Sequence, residues 1–189
     1  MRSLAVYCGS AVGSSPEFAD AARATAEAMA RQGVDLVYGG GRLGLMGVIA
    51  DRVLELGGRV YGVIPHALVD LEVAHDGLTE LHRVTNMHER KARMTDLADA
   101  FLALPGGIGT LDELFEAWSW NVLGYHAKPF CLLNVGGFFD GLITFIDHAF
   151  ESGFLSGQRR KQVLIADTPE QALELLDEAA AAATQGMIW

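Results

Sequence analysis

Apolar residues along this chain gather into short runs, LAVYC, DLVYG, RVYGVI, AFLAL, PFCLLNV and VLIA, that are apolar throughout rather than at alternate positions. A strand covered on one face alternates and a strand covered on both does not, so these six runs predict a parallel sheet buried between two layers. Between them apolar positions recur at helical spacing, which predicts helices over Pro16–Gln32, Met46–Leu56, Asn86–Ala98, Leu111–Leu123, Phe138–Ser152 and Pro169–Ala183. Strands that alternate with helices require right-handed crossovers. The expected fold is therefore α/β, a Rossmann-like doubly wound parallel sheet in a three-layer sandwich.

Composition narrows this picture. The 189 residues contain no Pro/Ser-rich linker, charge block or repeat, so residues 1–189 read as one nucleotide-binding-type domain. Half of the residues are hydrophobic and 20% are charged, an apolar balance that leaves room for a buried subunit interface. A net charge of -10 and a pI near 4.9 leave no basic footprint for nucleic acid, so a phosphate-bearing ligand must be met by local donors. Cys8 and Cys131 lie in strand-like runs without metal or redox spacing and read as buried free thiols. The N-terminal apolar run is too short for a signal peptide, and no run reaches the ~18 residues of a membrane span. A cytoplasmic protein without membrane partners is the resulting expectation.

In doubly wound sheets the ligand crevice lies beyond the carboxyl ends of the strands. Three predicted strand ends carry glycine-rich turns: CGSAVGSSP, YGGGRLGLMG and LPGGIGTLDE. Three such turns on one edge suggest backbone brought close to a common ligand. Gly39, Gly41 and Gly44 satisfy G-x-G-x-x-G only formally, because the motif follows the second strand and the next strand region, GRVYGVIPH, has no carboxylate for a ribose. No Gly-Lys-Ser/Thr occurs, which disfavours a P-loop.

In PGGIGTLDE, Thr110 and Glu113 have the spacing of a capping box, with the Thr hydroxyl on the third helical amide and Glu113 reaching back. A second reading uses the free amides of the glycine-rich helix start as phosphate donors and directs Glu113 along the ligand toward its sugar. A further polar cluster is NMHERKARM, residues 86–94. It fails the H-E-x-x-H zinc test because position 92 is alanine, and no other His pair has ligand spacing, so no metal is expected. Glu89 and Arg93 are spaced as an i,i+4 pair, while Met87, Arg90 and Met94 share a half-apolar face. An arginine in that setting calls for an anionic partner, either a buried carboxylate or a ligand.

PGGIGTLDE together with MHERKARM resembles the paired signature of the Lonely Guy family of cytokinin-activating phosphoribohydrolases, once widely labelled putative lysine decarboxylases. The resemblance extends from YCGSAVG through YGGGRLGLMG and HAKPFCLLNVGGFFD to GFLS. It implies hydrolysis of the N-glycosidic bond of a nucleoside 5'-monophosphate, N6-substituted adenosine monophosphates and AMP among them, to free base and ribose 5-phosphate. Carried onto matching positions, it implies Arg90 and Glu113 as the catalytic pair. Lys91, Gly107, Ile108, Gly109 and Thr110 become nucleotide contacts, and Glu72 a further ligand-binding acid. Ser119 stands where a threonine is frequent, keeping the hydroxyl, and Arg93 replaces a frequent acid.

Such hydrolysis needs no cofactor. A pyridoxal-dependent decarboxylase would need a lysine, yet Lys91, Lys128 and Lys161 are all the chain has, and the first belongs to the nucleotide motif. The resemblance also implies a homodimer with its active site near the subunit interface; Phe115, Trp118 and Trp120 are either core or part of that contact. The alternative from another class is a carrier on the same fold that binds a nucleotide or molybdenum cofactor without cleaving it.

Overall fold

The computed structural model describes residues 1–69, 71 and 73–186; the expectation for Glu72 lies outside the described residues. Seven parallel strands form one sheet in the order β4-β3-β2-β1-β5-β6-β7, with β1 at Ser3–Tyr7, β2 at Asp35–Tyr38, β3 at Val60–Pro65, β4 at Glu80–Val84, β5 at Ala100–Ala103, β6 at Phe130–Leu133 and β7 at Val163–Ala166. The helices are α1 (Pro16–Gln32), α2 (Gly44–Glu55), α3 (Met87–Leu97), α4 (Ile108–Val122), α5 (Asp140–Glu151), the short α6 (Gly157–Lys161) and α7 (Pro169–Gly186). The six apolar runs all form strands, as their two-sided burial predicts. β4 is the strand that hydrophobicity misses: ELHRV lies at the sheet edge, half-exposed, where polar residues cost little.

The two faces of the sheet carry separate cores. Leu4, Val6 and Leu36 pack with Met29 of α1, Ile49 of α2 and Leu173 of α7. Ala5, Tyr7 and Phe101 face the other way, toward Met94 of α3, Leu114 and Trp118 of α4 and Ile146 of α5. This is the expected three-layer sandwich, and the period-2 alternation of each strand divides its residues between the two helical layers. Trp118 belongs to the second core, with its ring 5.5 Å from that of Phe130.

The chain fills one side of β1 first, through β4, then returns to build β5 on the other side. The β1/β5 boundary is therefore the switch point, where the connections leaving neighbouring strands diverge and open a crevice at the carboxyl edge. Both cysteines are buried and free. Burial pushes the Cys131 thiol up to about 12; Cys8 is raised further by burial, with Glu113 adding to the effect. No helix among the described residues is long and apolar enough to cross a membrane.

Candidate active site at the switch point

The three glycine turns converge on one edge. The Gly9 amide donates to Pro105 O at 3.1 Å, and the Leu45 amide donates to Gly9 O at 2.9 Å, so the turns after β5 and β2 are both tied to the turn after β1. Between them lies a cavity of about 270 Å³ lined by Gly9, Ser10, Leu45, Pro105, Gly106 and Gly107, among others. The close approach needs glycine at specific points. A Cβ on Gly106 would stand 2.1 Å from Thr110 Oγ1 and 2.8 Å from the Gly9 amide nitrogen.

The start of α4 corrects the capping-box reading of Thr110 and Glu113. The helix begins at Ile108, three residues before the predicted Leu111, with Gly107 as its N-cap and so no side-chain cap bond from that residue. Glycine is tolerated at that position because its backbone takes the extended cap conformation without strain. Thr110 is then the third helical residue, only 3% exposed and packed against Gly106, and Glu113 lies in the second turn, out of reach of a cap. Gly107, Ile108 and Gly109 are exposed, and nothing stands within 4 Å of where a Cβ on Gly107 or Gly109 would be. The result is an exposed helix N-terminus with no side-chain cap from its N-cap residue.

Glu113 is half-buried and directs its charge at the end of β1, where it raises Tyr7 after burial does so, with Glu116 contributing least. Arg90 occupies the ends of the next two strands. It is 4% exposed, its Nε donates to Val63 O at 3.1 Å and its Nη2 to Gly39 O at 2.9 Å. Gly39 makes the space, since a Cβ there would fall 2.2 Å from Nη2. Neighbouring strands lie about 4.8 Å apart, so the ends of β2 and β1, one carrying the cation and one facing the carboxylate, are one strand spacing apart. Two of the Arg90 donors are held by carbonyls at the sheet edge, which fixes the guanidinium as a stationary positive charge.

The α3 helix that carries Arg90 begins with a true cap. Asn86 Oδ1 accepts from the Glu89 amide at 3.0 Å, and Glu89 Oε2 accepts from the Thr85 amide at 2.7 Å. Glu89, expected to pair with Arg93, thus turns back to the helix start, because orphan amides there are stronger partners than a solvated arginine. Lys91 places its Nζ 2.6 Å from Glu116 and 3.1 Å from Asp112, both on α4. Ser119 is exposed, six residues past Glu113, which puts it about 9 Å further along α4 and about 120° around it. The fold brings Arg90, Glu113, Gly107, Ile108, Gly109 and Thr110 to one edge and leaves Ser119 off that face.

Sequence reasoning passed over three groups. Asp112 and Glu116 are anonymous acids on a helix until α3 is packed beside it. His75 is 2% exposed, is hydrogen-bonded through Nε2 to Asp51 Oδ1 at 2.8 Å and accepts the Gly77 amide at Nδ1. Around it, the His75 amide donates to Gly40 O and the Arg42 amide to Val73 O, strapping the segment after β3 onto the glycine turn after β2. No local pattern marks that strap.

A family profile described as "Possible lysine decarboxylase" matches residues 46–176. The cytokinin riboside 5'-monophosphate phosphoribohydrolase LOG2 of Arabidopsis thaliana is 46% identical over 177 residues, covering 94% of this chain and 83% of that protein. The chain belongs to the Lonely Guy family. The rice phosphoribohydrolase LOG is 44% identical over 188 residues, with 100% of this chain and 78% of that protein covered, and the phosphoribohydrolase of Rhodococcoides fascians is 44% identical over 173 residues, covering 91% and 87%.

Among solved structures, the molybdenum cofactor binding protein of Rippkaea orientalis superposes with a TM-score of 0.71 at 22% identity, covering 94% of this chain and 96% of that one. The molybdenum cofactor carrier protein of Chlamydomonas reinhardtii gives 0.70 at 18% identity, with 95% and 98% covered. At those identities the likeness is one of fold. The decarboxylase description finds no lysine at the Lonely Guy crevice: Lys91 is clasped by α4, Lys128 Nζ donates to Thr95 O, and Lys161 is exposed on α6.

Proposed function

We propose that this chain hydrolyses the N-glycosidic bond of adenosine 5'-monophosphates, including N6-substituted ones, releasing ribose 5-phosphate and free adenine or cytokinin. The observation that carries the proposal is the uncapped, glycine-opened start of α4 at the switch point, with Glu113 on the following turn. Helix N-terminal amides bind phosphate through aligned donors and the helix dipole. In a chain of net charge -10, those donors replace the basic residues that other phosphate sites use.

The amides of Gly107, Ile108, Gly109 and Thr110 take the 5'-phosphate. Glu113 then lies about 6 Å further along the axis than Gly109, on the scale of a ribose ring and its exocyclic carbon. Breaking the ribosyl C–N bond builds positive charge on the sugar and negative charge on the leaving base. Glu113 stabilises the first and, within hydrogen-bond reach of a water, accepts its proton. Arg90, immobilised on the β2 and β3 carbonyls, keeps Glu113 ionised and favours the departing base. The phosphate is a remote handle whose binding energy positions the reacting bond. Glu72, Lys91 and, from a different face of α4, Ser119 are the further ligand contacts carried over from the family.

The enzyme works as one domain, without a cofactor, as a cytoplasmic homodimer whose second subunit closes the base end of the site. A carrier that binds without cleaving is the rival reading, and the buried Arg90 beside the Glu113-bearing helix argues against it. Incubating the purified protein with AMP and with isopentenyladenosine monophosphate, and assaying free base and ribose 5-phosphate, separates the two. Release of both products is expected, and binding without release overturns the enzyme reading. Gel filtration with light scattering tests the dimer.

A further inference from the structure

The segment after β3 holds a backbone conformation that its residue type resists. Val73 has φ 49°, and among the described residues it is the one non-glycine with positive φ. β-branched residues avoid that region because Cβ crowds the carbonyl oxygen, so the conformation persists only where the surroundings impose it. Here the surroundings are the glycine turn after β2. The Val73 carbonyl accepts the Arg42 amide at 2.9 Å, Ala74 forms an antiparallel bridge with Gly41, and the His75 amide donates to Gly40 O at 3.0 Å. Three successive residues are thus laid along three residues of the turn.

His75 fastens the end of this strap. Its Nδ1 accepts the Gly77 amide at 3.0 Å; a backbone amide can only donate, so the ring hydrogen sits on Nε2, and Asp51 Oδ1, 2.8 Å away, accepts it. Asp51 belongs to α2, the helix that leaves the same turn. His75 therefore ties the start of the turn, through Gly40, to the helix at its end. The turn borders the site from inside the fold: Gly39 O receives Arg90 Nη2, and Leu45, whose amide donates to Gly9 O, forms part of the cavity wall. Neither His75 nor Asp51 lines that cavity.

We propose that His75 and Asp51 are positioning residues of this active site: their hydrogen bond latches a strained strap across the glycine turn after β2 and so fixes the turn where it borders the crevice. The inference rests on the phosphoribohydrolase reading and adds to it two residues that act through the backbone of residues 40–42. With the latch cut, Val73 relaxes toward negative φ and draws the strap off the turn. Glycine adopts the left-handed conformation without strain, so Val73→Gly leaves the strap in place even when the latch is cut.

The test is steady-state kinetics of the full chain on AMP, with kcat and KM separated, at a temperature where thermal unfolding shows each variant to be folded. The variants are His75→Ala, Asp51→Ala, Asp51→Asn and the Asp51→Ala/Val73→Gly double variant. For His75→Ala, kcat falls by about 10- to 100-fold, and for Asp51→Ala by about tenfold, while KM stays within about threefold, the pattern of a displaced wall rather than a lost contact. Asp51→Asn keeps an oxygen for the Nε2 hydrogen and recovers most of the rate. The double variant recovers about fivefold over Asp51→Ala, because the strain and the latch are coupled.

A structural role alone would lower Tm and leave kcat of the folded protein as it was, and that result overturns the proposal. So does a tenfold rise in KM at constant kcat, or a double variant no faster than Asp51→Ala. Should His75→Ala fail to fold, Asp51→Ala decides by the same criteria, since Asp51 is half-exposed on α2. Absence of base release from the wild-type chain overturns the phosphoribohydrolase reading and the proposal together. Wild-type turnover with unchanged kcat in the latch variants overturns the proposal alone.

Discussion

Replacing Gly39 by alanine tests whether the fixed guanidinium of Arg90 matters to the reaction. The new Cβ would stand 2.2 Å from Arg90 Nη2 and 3.1 Å from Met46 Sδ. Ordinary carbon contacts begin near 3.4 Å, so the guanidinium must withdraw by about 1.2 Å, which ends the 2.9 Å bond to Gly39 O. Gly39 is not among the glycines with positive φ, so the obstacle is steric and lies at Arg90 and Met46 rather than in the backbone. Overpacking of this kind costs about 1–3 kcal/mol of stability. A displacement of about 1 Å at a reacting centre costs about 100-fold in rate, or about 2.7 kcal/mol of transition-state stabilisation. Base release from AMP, measured beside thermal unfolding, should show a folded protein with a lowered Tm and kcat/KM reduced by about two orders of magnitude. A folded Gly39→Ala variant with kcat/KM within threefold of wild type would refute the role given to Arg90.

Other predictions address the helix start and the far end of the sheet. Gly107→Ala adds a methyl group where the protein has nothing within 4 Å, so Tm should hold while KM for AMP rises about tenfold if phosphate approaches there; unchanged KM argues for another phosphate site. Glu113→Ala should lower base release by about 1000-fold with the helix content of wild type, because Gly107 and not Glu113 ends the helix; a large loss of circular dichroism at 222 nm would restore the capping role. His126 is held at about 4, below its usual 6.5, by burial and then by the Lys128 charge, so it is neutral when folded and gains a proton on unfolding below 6.5. Its contribution is therefore present above about pH 6.5 and is lost as pH falls toward 4. Tm of the wild type should drop through that window more steeply than Tm of His126→Gln, and equal slopes would show that His126 is not responsible.

Much of this molecule is written in local pattern. Burial on both faces makes a strand apolar throughout, so six strands and their order of alternation with helices are visible without coordinates. β4 escapes for the same reason: at an edge, ELHRV meets water and has no need to be apolar. The α4 boundary is hidden by the cap spacing of Thr110 and Glu113, since spacing cannot tell a cap from a third helical residue when a glycine nearby can start the helix as well.

The sequence by itself determined the fold class, the glycine-rich edge and the two polar motifs, because each is carried by residues close together in the chain. Only the tertiary structure decided what those residues do to one another. Arg90 rests on carbonyls contributed by β2 and β3, and Gly39 is there to admit it; Lys91 meets acids 21 and 25 residues away on α4; His75 straps the segment after β3 to Gly40. These are contacts between elements, fixed by sheet order and helix packing, and short-range periodicity holds no record of which elements become neighbours.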